Sequence, residues 1–77
     1  MQSIDARTLP NCDARHSAVF QAFEGLANGE AFELVNDHDP RPLSYHLQQR
    51  YPNQFGWAYL EAGPDVWRVA IQRIDLE

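Results

Sequence analysis

The residues best suited to chemistry lie in one short run, Asn36-Asp37-His38-Asp39-Pro40-Arg41. An imidazole between two carboxylates can ligate a divalent metal or move a proton near neutral pH. Asp39 can also accept from the free N–H groups of a helical first turn, with Pro40 placed where a missing N–H costs least. His16 could join this set from the first helix, and Cys12 lies just before or within that helix's first turn. A thiol in a helix's first turn is favoured as thiolate by the dipole, whereas Asp13 beside it disfavours ionisation. Arg7 and Arg41 are suited to holding a carboxylate, sulfate or phosphate at helix N-termini.

From this set, Arg7, His16, Asn36, Asp37, His38, Asp39 and Arg41 are the expected ligand-binding residues. His16, His38 and Asp37 are the expected donors should the ligand be a metal, and Cys12 is the candidate catalytic residue. No cofactor is required by any motif, and a divalent metal is the one these side chains could take.

The elements that must position these residues follow from periodicity. Residues 2–7 alternate, with Ile4 and Ala6 on one side, and read as a strand. From Asp13 the apolar positions Val19, Phe20, Phe23, Leu26 and Ala27 take helical spacing, capped by Asn11 or Asp13 and stopped by Asn28-Gly29. Phe32 and Leu34 alternate in a second strand over Glu30 to Val35. A second helix then carries Leu43, Leu47 and Tyr51 as an i, i+4, i+8 stripe until Pro52-Asn53. Phe55, Trp57 and Tyr59 mark a third strand, and Trp67, Val69 and Ile71 a fourth, joined by a hairpin loop at Glu61-Ala62-Gly63-Pro64-Asp65. A simple register pairs Tyr59 with Trp67, Trp57 with Val69 and Phe55 with Ile71, all on the face the helices cover. Both tryptophans are therefore expected in the core.

The order β-α-β-α-β-β predicts an α+β two-layer sandwich with both helices on one face of a four-stranded sheet. Right-handed crossovers make the first three strands parallel. The ends of strands one to three and the starts of both helices then share one edge. Arg7, Cys12, His16, Asn36 to Asp39, Arg41, Glu61 and Asp65 gather there.

Seventy-seven residues make one domain, 1–77, near the size at which only about 60% of the unfolded chain's surface is buried. Six basic against eleven acidic residues give a net charge of −5, and without a basic cluster a nucleic-acid partner is not expected. One cysteine allows no internal disulfide and fits a reducing compartment. No apolar run has the length of a signal peptide or a membrane span, so a soluble cytoplasmic protein with no membrane partner is expected.

Ile4-Asp5-Ala6-Arg7, Arg15-His16, Val19-Phe20, the run Asn36 to Leu43 and the stretch Tyr59 to Val69 resemble the bacterial domain-of-unknown-function family numbered 2249. That family is similar in fold to the sulfur-carrier proteins of the TusA/SirA type. The resemblance implies a mixed sheet of order 1-2-4-3 with the fourth strand antiparallel. It also implies a link to redox or nitrogen-oxide physiology, since members of the family are often found fused to or near hemerythrin-like domains and anaerobic redox genes, and the carrier-like fold implies one to sulfur metabolism. The carriers hold a persulfide on a Cys-Pro-x-Pro cysteine at the start of helix one. Cys12 matches that position when counted back from Asn28-Gly29-Glu30 and is one residue late when counted from Asp5. Asp13 and Arg15 replace the two prolines.

The expectation is a small non-catalytic module that binds a partner protein or a small anionic or metal ligand at its Asn-Asp-His-Asp-Pro edge. The alternative is a persulfide carrier acting through Cys12.

Overall fold

The computed structural model describes residues 1–75. Its strands are β1 (Gln2–Asp5), β2 (Ala31–Asn36), β3 (Phe55–Ala62) and β4 (Trp67–Arg73), and its helices α1 (Cys12–Glu24) and α2 (Arg41–Arg50). The sheet runs β1-β2-β4-β3, with β1 and β2 parallel and β4 antiparallel to both of its neighbours. The expected architecture and strand order are those of the structure. Among the described residues no helix is long and apolar enough to cross a membrane.

Alternation decides the layering. Phe32 and Leu34 of β2 and Val69 and Ile71 of β4 point to the same side, where they meet Val19 and Phe23 of α1 and Leu43 and Leu47 of α2. All eight are buried, and each full side-chain burial contributes about 1.5–3 kcal/mol. The opposite face mixes polar residues with small apolar ones, among them Val35, Ala58 and Ala70. There Glu33 and Arg68 form a bidentate pair, 2.9 and 3.2 Å, with Glu61 also beside Arg68.

Four local details depart from the sequence expectations. β1 ends at Asp5, because its carboxylate accepts the Arg7 N–H and its carbonyl accepts the Thr8 hydroxyl, which curls Ala6–Thr8 into a 3-10 turn. Ala6 stays buried at 1% exposure. α1 stops at Glu24 with Gly25 closing the last turn, and the Asn28-Gly29 segment instead shapes the bend into β2, with Gly29 at φ +88°.

The hairpin register differs by two residues. Trp57 faces Ile71 and Tyr59 faces Val69, and an irregularity between Tyr59 and Glu61 leaves Leu60 unpaired. Gly63 N–H bonds to the Val66 carbonyl, so the loop closes on four residues and the strands run longer than a five-residue loop allows. A two-residue shift preserves which face a side chain occupies, so the layers are unaffected. Finally, both tryptophans are half-buried instead of core: Trp57 packs on the edge of the cluster, and Trp67 lies beside Tyr59 with rings 6.1 Å apart.

Candidate functional site

Where β1 and β2 end and α1 begins, the surface opens into a cavity of about 200 Å³. α1 presents Cys12, Arg15, His16 and Val19 to it, an i, i+3, i+4, i+7 row that helical geometry puts on one face. Asn11 starts that helix by accepting the Ala14 N–H at 2.8 Å, which fixes Cys12 as its first residue. The second wall is the turn from β2 into α2, with Asn36, His38, Asp39 and Pro40, and the floor is apolar: Ala6, Leu34 and Leu43.

The expected residues divide between the cavity and its surroundings. Cys12, His16, Asn36, His38 and Asp39 line it. Asp37 sits just outside, its Oδ1 2.7 Å from His38 Nδ1. That hydrogen bond holds the Asp37 carboxyl below the usual carboxylate range, and the charge of Arg15 lowers it further. The two arginines singled out in the sequence are not among the lining residues. Arg7 makes a bidentate pair with Asp5, 2.7 and 2.9 Å, and Arg41 lies 3.8 Å from Asp39. Glu61 pairs across the sheet with Arg68, and Asp65 is on the exposed hairpin loop. Asp39 is committed to structure: its Oδ1 accepts from the Arg41 N–H at 3.0 Å and from the Tyr59 hydroxyl at 2.7 Å. It thus supports the first turn of α2 from one residue earlier than an N-cap, the cap position being held by Pro40.

Arg15 is the functional candidate that the sequence reading passed over. The chain has six basic residues, all arginine. Arg7, Arg41, Arg50, Arg68 and Arg73 each pair with a carboxylate. Among the described residues Arg15 forms no such pair, and its Nε is buried without a hydrogen-bond partner. A buried donor left unmade costs about 1–3 kcal/mol, more for a charged group. The i, i+3, i+4, i+7 row that it completes with Cys12, His16 and Val19 was the available signal.

His46 is the second omission. Its ring lies 4.8 Å from that of His16, bridging α2 to α1 at the cavity's flank. His16, His38 and Asp37 do not converge as a metal set: among the described residues no three His, Cys, Asp or Glu side chains are placed to hold an ion. Cys12 is exposed with a free thiol.

Residues 3–73 match the family described as an uncharacterized conserved protein, DUF2249. The chain belongs to that family. No curated protein and no solved structure matches it. The DUF2249 match spans both walls of the cavity, from Cys12 to Leu43, and the hairpin behind them.

Proposed function

We propose that the chain is a small non-catalytic binding module whose cavity, between the first turn of α1 and the Asn36–Asp39 turn, holds a small anion. The observation that carries this reading is Arg15. In a protein with eleven acidic side chains, the five other arginines are paired, and this one faces a cavity with its Nε–H buried and unbonded. An anion there would supply a countercharge to the one guanidinium without a carboxylate partner among the described residues. The start of α1 adds a favourable dipole.

Acetate titrated into the protein should move the His16 and His38 imidazole resonances and the Arg15 Nε–H resonance at millimolar concentration. Arg15→Gln, which keeps helix propensity, should abolish the response. Unmoved resonances, or an undiminished response in Arg15→Gln, would sink the reading, leaving this edge as a surface for a protein partner.

Cys12 supports a second reading, that of a persulfide carrier, because its exposed thiol stands on the rim of the same cavity. Asp13 and Arg15 occupy the places of the carriers' prolines, which ranks it below anion binding. Incubation with a cysteine desulfurase and cysteine should leave Cys12 without added sulfur. Mass gain at Cys12, absent from Cys12→Ser, would reverse the ranking.

A further inference from the structure

We infer that the anion is a short aliphatic monocarboxylate, its carboxylate on Arg15 and Asn36 and its hydrocarbon part on the floor made by Ala6, Val19, Leu34 and Leu43. This rests on the anion-binding reading above and adds the chemical class.

Asn36 is the observation independent of Arg15. It is 6% exposed, the one buried polar residue among those described, and it lines the cavity. Its Oδ1 accepts the Asp37 N–H at 2.9 Å, which orients the side chain and leaves the Nδ2 amide as a donor with no partner among the described residues. That nitrogen keeps access to solvent in the cavity, since among the described residues Arg15 Nε is the one fully buried side-chain polar atom without a partner. Two unfilled donors of different elements, one cationic and one neutral, therefore border the same small space.

Charge and shape then narrow the ligand. One unpaired guanidinium balances one negative charge, and the neighbouring Asp37 and Asp39 carboxylates disfavour a second. Two donor groups suit the two oxygens of a planar carboxylate. A phosphate or sulfate dianion would bring a second charge, and three or four oxygens, to a space that already holds the Asp39 carboxylate and has an apolar floor. Inorganic ions would also leave that apolar floor wet, whereas an alkyl chain covers it. A volume of about 200 Å³ is below the roughly 300–1,000 Å³ of pockets that take drug-sized molecules, so the chain must be short.

The test is a titration series on the intact protein with acetate, propionate, butyrate, hexanoate and inorganic phosphate, followed by heteronuclear NMR of the Asn36 side-chain amide and the Arg15 Nε–H. Affinity should rise about fourfold per methylene from acetate to butyrate, the value for burying one CH₂. It should stop rising or fall at hexanoate, and phosphate should bind at least about tenfold more weakly than butyrate. Asn36→Asp keeps the acceptor for the Asp37 N–H and replaces the donor with a charge. It should lose butyrate binding while its spectrum shows the same fold. Phosphate binding as tightly as butyrate, or no gain with chain length, would overturn the carboxylate assignment while an Arg15-dependent acetate response left the anion site standing. If Asn36→Asp unfolds, Asn36→Ser supplies the second variant, and undiminished butyrate binding by it would equally overturn the proposal.

Discussion

The Tyr59 hydroxyl donates to Asp39 Oδ1 at 2.7 Å, joining the middle of β3 to the turn that begins α2. Twenty residues separate the two in sequence, and the same oxygen accepts the Arg41 N–H. One carboxylate thus fixes both where α2 starts and how the cavity's second wall stands against the sheet.

Tyr59→Phe removes only the hydroxyl and should cost about 1 kcal/mol, the net value of one partly exposed hydrogen bond. Asp39→Asn keeps an acceptor oxygen and should change stability little. Asp39→Ala loses both bonds and should cost about 1–2 kcal/mol. Urea denaturation of the three variants checks the order, and an Asp39→Asn loss as large as that of Asp39→Ala would contradict it.

Much of the fold was legible in the sequence because its signals are local and redundant. Phe32 and Leu34 alternate, Leu43 and Leu47 recur at four, and both pairs end in the core as their periods require. The departures come from interactions that periodicity does not encode. A carboxylate bonding backbone two residues ahead bends β1 into its 3-10 turn, and an unpaired Leu60 moves the hairpin register without changing any residue's face. The site was legible as a place more than as a set of roles. The Asn36–Asp39 turn does border a cavity, yet Arg7 and Arg41, the cations prominent in the sequence, are neutralised by the nearest carboxylates. Whether an arginine is paired depends on three-dimensional distance, so Arg15 could stand out only once the other five had partners.

Acid should weaken the fold through its carboxylate pairs. The bonds from Arg68 hold the Glu33 carboxyl below its ordinary value, and Asp5 and Asp37 are likewise lowered, by Arg7 and His38 first. A lowered folded-state value means that the unfolded chain takes up protons first, so these contributions are complete above the ordinary carboxylate range and disappear as pH falls through the folded values. Stability measured by urea midpoint should therefore be level from about pH 7 to 5.5 and decline below about pH 5. Glu33→Gln should flatten that decline in part. A slope unchanged by the substitution would remove Glu33 from the account.

Gly63 and Gly29 both hold positive φ, +64° and +88°, but in different surroundings. A Cβ on Gly63 would come within 2.7 Å of the Trp67 ring, whereas one on Gly29 meets nothing within 4 Å. Gly29→Ala should therefore cost only the backbone term, about 1 kcal/mol. Gly63→Ala adds displacement of a ring and should cost about 2–3 kcal/mol, with a shift in tryptophan emission that Gly29→Ala lacks. Equal losses would mean that the Trp67 ring moves aside freely.

Asp37 competes with any anion for the field of Arg15. It lies outside the cavity wall, bonded to His38, and Arg15's charge helps keep it ionised. Asp37→Asn leaves the side-chain shape and removes one negative charge near the cationic donor. Acetate and butyrate should consequently bind about two- to fivefold more tightly to the variant at low ionic strength, as expected of one charge several ångströms away in a largely solvated setting. The gain should shrink toward unity in 0.5 M salt, roughly where the screening length falls to a few ångströms. A metal ligand would show the reverse sign, since loss of a carboxylate weakens a cation. Tighter metal binding cannot follow from Asp37→Asn, so the direction of the change separates the two ligand classes in one variant. Unchanged carboxylate affinity at low salt would mean that the anion is held too far from Arg15 for Asp37 to matter, and would count against Arg15 as its anchor.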